Sequence, residues 1–303
     1  MQGNNTDALN QSVEHKHNAV ILGASGGIGK ALARELVLRN TDLTLFGRNQ
    51  HKLDVLAQEL RAEWLRTDGI QPGRGHTDSA RFEGMPGRGQ VSNPAGMQLS
   101  VKTIAHELVP EDAALCHFFE NMLDSELRHA DIYLHVLGPF LQKPLAASTL
   151  EDWNAMLFYN LKLPALCAER AARYMAERWE SKQPSGKAMP GVIVLFGGTK
   201  TDTIHAYKTN AVYASAKTGL AVFAKSLARE YAGKGVAVIM ICPGIVETEY
   251  VTEEQKRIWK KLMPQEAFTQ PEQFARAVCD IVCSPSVLLF SGSVITLDEG
   301  LLL

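Results

Sequence analysis

The feature that most limits what this chain can fold into lies within its first forty residues. Asn18-Ala19-Val20-Ile21-Leu22 is a short apolar run, and Gly23-Ala24-Ser25-Gly26-Gly27-Ile28-Gly29 follows at once. A helical pattern then runs from about Lys30 to Asn40, with Ala31, Leu32, Leu36 and Val37 apolar. Strand, glycine turn and helix in that order form the context a dinucleotide-binding loop requires. Glycines let the backbone approach a pyrophosphate, and the helix N-terminus favours its charge. The same composition also suits an ordinary βα turn. Further apolar runs at 43–46, 99–104, 131–138, 192–196, 236–241 and 294–297 alternate with helical patterns. That alternation predicts an α/β chain built on a parallel sheet. Val192-Ile193-Val194-Leu195-Phe196 is uniformly apolar, as a strand buried on both faces should be.

With 303 residues, 46% of them hydrophobic, the chain has enough material for one large core. A net charge of -2 gives no support to a nucleic-acid or membrane-surface role. The five cysteines are scattered, and only Cys279 and Cys283 stand close together. No second pair has zinc-ligand spacing, so no metal is expected and the thiols read as buried and reduced. The first 17 residues are polar and lack a signal peptide's apolar region. No apolar run approaches a membrane span. The expectation is a soluble cytoplasmic protein with a flexible tail at 1–17 and one domain at 18–303.

The tip of the second predicted strand reads Gly47-Arg48-Asn49, with no acidic residue to hold a ribose 2′-hydroxyl. Arg48 is available there for a 2′-phosphate, which favours NADP, although a guanidinium also stacks on adenine or faces solvent. After a helix from about Gln50 to Trp64, residues 68–96 lose all periodicity and repeat Pro-Gly-Arg-Gly at 72–75 and 86–89. They read as a long loop insertion at the N-terminal edge of the sheet, which keeps Arg74 and Arg88 away from a cofactor at the other edge. Glu107, at the tip of the next strand beside Leu108, is placed to accept from an adenine amino group or to face solvent.

Three residues suggest chemistry. Tyr213 and Lys217 are four apart at the start of a helical pattern, which puts both on one face. A neighbouring ammonium would stabilise phenolate and lower the phenol from its usual value of about 10. Asn160 falls within a helical pattern from about Leu150 to Arg178 that Thr149 and Asp152 open as cap and partner. Asparagine is a poor helix former, so a buried amide there marks a water site or a backbone bond, while an exposed one marks nothing. Residues 249–270 are polar and helix-prone with a basic run at Lys256, Arg257, Lys260 and Lys261, which suits a solvated lid.

Taken together, Gly23-x-x-x-Gly27-Ile28-Gly29, Asn160, Tyr213-x-x-x-Lys217 and Pro243-Gly244 resemble the short-chain dehydrogenase/reductase family from about Asn18 to Leu303. Within it the chain looks most like the members resembling 3-oxoacyl carrier-protein reductases. The resemblance implies a single Rossmann-type domain, a doubly wound parallel sheet with helices on both faces. It implies Tyr213 as acid/base, Lys217 as the cation that lowers its pKa and holds the nicotinamide ribose, and Asn160 as the residue that positions a relay water. The implied cofactor contacts are Gly23, Ser25, Gly26, Gly27, Ile28, Gly29, Arg48, Glu107, Leu108, Leu137, Gly138, Tyr213 and Lys217. Pro243, Gly244, Ile245, Val246 and Thr248 complete the set and would cover the nicotinamide. It further implies a homo-oligomer pairing through the helices of Asn160 and Tyr213, where Ala168, Ala171, Ala172, Ala221, Ala224 and Ala228 suit either a partner helix or the sheet.

Three departures stand out. Leu22 replaces a threonine, His135-Val136-Leu137-Gly138 replaces Asn-Asn-Ala-Gly, and the strand-end position of the family's catalytic serine reads Gly198, while counting back from Tyr213 lands near Lys200. A carbonyl oxygen gaining charge needs a second donor, and loss of one costs about two to three orders of magnitude in rate. Thr199 or Thr201 can supply the hydroxyl, Thr199 first because it adjoins the strand. The sequence thus predicts an NADP-dependent oxidoreductase that interconverts a small-molecule carbonyl and a secondary alcohol, with NADPH preferred over NADH. The rival is a cofactor-binding sensor or scaffold with impaired catalysis.

Overall fold

Two rows of apolar side chains on each central strand set the layering of the molecule. The computed structural model describes residues 16–66, 89–92, 98–183, 189–249, 251–262 and 268–301. Its strands are β1 (Asn18–Leu22), β2 (Asp42–Gly47), β3 (Gly89–Ser92), β4 (Gln98–Ala105), β5 (Ile132–His135), β6 (Gly191–Phe196), β7 (Val236–Pro243) and β8 (Val294–Leu297). Among the described residues they form one sheet in the order β3-β4-β2-β1-β5-β6-β7-β8. All neighbouring pairs are parallel except β3 with β4.

The helices are α1 (Gly27–Leu38), α2 (Gln50–Arg66), α3 (Asp112–Phe118), α4 (Asp124–Leu127), α5 (Leu150–Leu157), α6 (Leu163–Lys182), α7 (Ala211–Glu230), α8 (Glu253–Trp259) and α9 (Pro271–Val282). Because strand side chains alternate, Ile21, Val194 and Ile239 face one side of the sheet and Val20, Ile193 and Val238 the other. Leu32, Leu53 and Phe274 bring α1, α2 and α9 onto the first face. Phe118, Ala171 and Leu220 bring α3, α6 and α7 onto the second. Helices therefore cover both faces, as the alternation of elements predicts.

Three local expectations change. Residues 68–96 were expected to lack structure, yet β3 pairs antiparallel with β4, Gly89 opposite Val101 and Ser92 opposite Gln98. An edge strand can be held by backbone bonds alone, so no apolar alternation announces it. The rest of that stretch, with Arg74 and Arg88, lies outside the described residues, as do residues 1–15 of the expected tail. The predicted helix of 150–178 is opened by the Thr149–Asp152 capping box and extends to Lys182, but a π turn at Phe158–Lys162 interrupts it. The six alanines all face the second core and are at most 6% exposed, so they serve the sheet and not a partner helix.

Ile239 is wholly enclosed at the centre of the sheet. Replacing it in Ile239→Ala leaves a cavity and lowers the unfolding free energy by about 2–5 kcal/mol, read from urea denaturation.

Candidate active site

The chain leaves β1 for β2 on one side and reaches β5 on the other. A crevice opens beyond the C-terminal ends of such strands, where the strand order reverses. The glycine turn sits there because the carbonyl of Phe46 accepts from the amides of both Gly23 and Ala24, each at 3.0 Å. Gly23 has φ +95°, and a Cβ on it would lie 2.6 Å from the amide nitrogen of Leu137. Only glycine meets both conditions.

The expected cofactor positions gather at this edge. Ser25, Gly26 and Ile28 form the turn and the start of α1 with Gly27 and Gly29. Arg48 is exposed beyond β2. Past β4, Glu107 is exposed and Leu108 is buried, its carbonyl accepting from the Tyr159 hydroxyl at 2.8 Å. Leu137 and Gly138 follow β5, the Leu137 amide donating to the Leu22 carbonyl. Gly244 is tied to the end of β8 through Leu297, and Val246 bridges to Thr269, which sets the course of the segment through Ile245 to Thr248.

Asn160 and Lys217 meet beside Gly138, and Tyr213 lies next to Lys217. Asn160 is fully buried on the π turn, and its amide donates to the Pro139 carbonyl at 3.0 Å. Its Oδ1 has no protein partner. A Cβ on Gly138 would lie 2.5 Å from that oxygen and 3.1 Å from Lys217 Nζ, so the missing side chain lets these two groups converge. Such π turns are frequent at functional sites, and no periodicity in the sequence signals one.

Lys217 is 4% exposed and donates to the Phe196 carbonyl at 2.7 Å. Burial lowers its pKa to about 8. The Tyr213 ring is packed edge-on against Phe140, 5.1 Å between centroids. Burial raises the phenol above its ordinary value, with lesser contributions from Cys242 and Tyr207. This is opposite to the expected lowering by Lys217. The ammonium is turned to Phe196 and lies 5.9 Å from the centre of the Tyr213 ring, so desolvation prevails.

Gly198 has a direct geometric consequence. A Cβ there would lie 2.7 Å from the Tyr213 hydroxyl, so the phenol occupies ground a side chain would need. The Thr199 hydroxyl turns to the carbonyls of Pro243 and Gly244, at 3.3 and 3.4 Å. Thr201 is fully buried and braces Gly198, accepting from its amide and donating to its carbonyl. His135 makes a bond of its own where the sequence suggested lost contacts, its Nδ1 lying 2.8 Å from the Tyr133 hydroxyl. Burial, then the charge of Lys217, lowers its pKa to about 3, so the imidazole is neutral. Among the described residues no cluster of three or more His, Cys, Asp or Glu is placed to hold a metal, and no helix is long and apolar enough to cross a membrane.

Comparison with known proteins decides the family. Residues 95–302 match the family described as enoyl-(acyl carrier protein) reductase, and residues 17–73 match short chain dehydrogenase. The chain belongs to the short-chain dehydrogenase/reductase family. These are oxidoreductases that bind NAD(P). The matches leave residues 74–94 between them, inside the stretch read as an insertion. Carbonyl reductase family member 4 of Xenopus laevis is 31% identical over 284 residues, covering 93% of this chain and 96% of that protein. The 3-oxoacyl-[acyl-carrier-protein] reductase FabG of Aquifex aeolicus is 25% identical over 289 residues, with 93% and 96% covered. In fold, the chain is similar to a short-chain type dehydrogenase/reductase of Mycobacterium marinum, with a TM-score of 0.70, 21% identity and coverage of 94% and 95%.

The buried ammonium of this short-chain dehydrogenase/reductase leaves a thermodynamic mark. Its folded pKa of about 8 lies below the ordinary 10.5, so between those values the unfolded chain binds more protons. Stability from this group therefore rises with pH across that window and is lowest below it. In Lys217→Met that rise, up to about 3 kcal/mol, disappears from urea denaturation curves compared with wild type at pH 7.5 and 10.5.

Proposed function

We propose that the protein is an NADP-dependent oxidoreductase interconverting a carbonyl and a secondary alcohol, with Tyr213 as its acid/base. The observation that carries this reading is the convergence of Tyr213, Lys217 and the unpartnered Oδ1 of Asn160 beside the sheet's switch point. The residues also fit a dinucleotide. The N-terminus of α1 accepts an anionic group through the Gly27 amide, and Gly23 and Gly138 present bare backbone where a side chain would intrude. A bound nicotinamide supplies or accepts the hydride.

The chain's own groups have separate tasks. Tyr213 hands its proton to the carbonyl oxygen and takes it back in the reverse direction. Lys217, fixed by Phe196, holds positive charge beneath the phenol and binds the ribose of the nicotinamide. Asn160 Oδ1 accepts from a water that restores the proton. Arg48 would hold the 2′-phosphate of NADP, there being no acidic residue at the strand tip to repel it. Glu107 and Leu108 would border the adenine, and Ile245 to Thr248 would cover the nicotinamide. Thr199 spends its one hydroxyl proton on Pro243 and Gly244, so in this reading it braces the covering loop and does not donate to the substrate oxygen.

A phenol raised by burial stays protonated at neutral pH, which suits delivery of a proton to a carbonyl, and reduction is the direction we assign. Phe140, half exposed against Tyr213, gives the substrate an apolar wall. The relatives named for 3-oxoacyl and carbonyl reduction support ketones with an apolar arm as the substrate class. We also propose a homo-oligomer, since the outer sides of α5, α6 and α7 expose Trp153, Leu157, Leu166 and Val222.

NADPH oxidation against a panel of 3-oxoacyl thioesters, diketones, cyclic ketones and sugars tests the reading. Tyr213→Phe should lose about two to four orders of magnitude in kcat while NADPH binds as before. Turnover that survives unchanged in that variant, or NADPH binding with no turnover on any class, would count against it. Arg48→Ala should raise KM for NADPH by about ten- to a hundredfold, the worth of one charge-assisted bond, and leave KM for NADH unchanged. For alcohol oxidation the rate should still be climbing at about pH 10, the ordinary phenol value, because burial holds the Tyr213 proton beyond it.

A further inference from the structure

The dinucleotide turn is already engaged by a residue of the chain itself. Gly27 is the first residue of α1, and its amide points out of the helix with no partner inside it. Glu249 Oε1 accepts from that amide at 3.1 Å. The second carboxylate oxygen lies 2.6 Å from where a Cβ of Gly27 would stand, with Thr248 methyl and Cβ close behind. Both oxygens of one acid thus rest on the bare glycine at the positive end of a helix. That is the place and the chemistry of a pyrophosphate.

The contact is not a by-product of charge pairing in this segment. Glu247 and Glu253 on either side share Lys256, each at 2.9 Å. Glu249 is directed away from that cation to a backbone amide 222 positions earlier. Gly26, the N-cap, offers no side-chain bond of its own, so Glu249 supplies the capping acceptor that the turn's glycine-rich sequence omits.

We infer that Glu249 is an internal stand-in for the pyrophosphate, which the dinucleotide must displace on binding. The inference rests on the cofactor reading above. Two negative groups cannot share one helix N-terminus, so entry of the cofactor breaks the Glu249–Gly27 bond and frees the segment leading into α8. The contact caps α1 while the site holds no dinucleotide, and it sets a threshold on cofactor affinity. It also links cofactor entry to the placement of Thr252 and Gln255, whose capping box opens α8, and of Gln142, which Gln255 reaches at 3.3 Å.

Titration of NADPH by its fluorescence, on wild type, Glu249→Ala and Glu249→Gln, tests this. Because Glu249 is exposed, both variants should fold, and circular dichroism checks it. Glu249→Ala should bind NADPH about two- to fivefold tighter, the worth of an exposed charge at a helix terminus. Glu249→Gln, which keeps an acceptor but no charge, should fall between. Adenosine 2′-monophosphate, which carries no pyrophosphate, should bind all three proteins equally. Equal or weaker NADPH binding by Glu249→Ala, or a matching gain for adenosine 2′-monophosphate, would overturn the assignment while leaving the cofactor reading intact. Failure of wild type and variants alike to bind NADPH or NADH would overturn the cofactor reading itself, and this inference with it.

Discussion

The site depends on a lysine ammonium buried beneath the end of the central sheet. Its charge is met by the Phe196 carbonyl at the last residue of β6, and a helix of 20 residues, α7, carries it there. A cation in such a place is costly unless the groups around it are fixed. The surroundings are fixed by the parallel sheet, whose doubly buried strands cannot slip by one residue without turning a full row of side chains to the wrong layer. Register between β5 and β6 therefore decides where Gly138 and Phe196 stand, and they decide where Lys217 and Asn160 can meet.

Around that point the polar groups are few and already committed. Asn160 spends its amide on Pro139, Thr201 spends its hydroxyl on Gly198, and His135 is held neutral against Tyr133. Buried polar atoms left without a protein partner here include the Oδ1 of Asn160 and the Nε2 of His135. A pocket built this way is preorganised. In the reaction proposed here its dipoles would not need to reorient as charge develops on a substrate oxygen, and preorganisation of that kind is usually the largest electrostatic contribution a protein makes to such chemistry.

Much of this was legible in the sequence, for physical reasons that differ from residue to residue. Uniform apolar runs such as 192–196 announced strands buried on both faces, and Thr149 with Asp152 announced a helix start. Tyr213 and Lys217 were found because helical spacing is fixed. The π turn at Asn160 was not legible, since one extra residue per turn leaves no pattern over five positions. Neither was β3, whose pairing needs only backbone groups. The aim of the Thr199 hydroxyl and the raised phenol of Tyr213 depend on which neighbour lies nearest, and spacing does not encode that. Glu249 is the extreme case, because its partner is an amide more than two hundred residues away.

Gly198 ties one position of the chain to another. The Tyr213 hydroxyl has settled 2.7 Å from where a side chain at 198 would begin, and Thr201 clamps the same turn from below. A serine introduced there would therefore meet an occupied space, and its hydroxyl would become useful only once the tyrosine moved aside. What stands at 198 and where the phenol rests are in this sense one structural choice and not two.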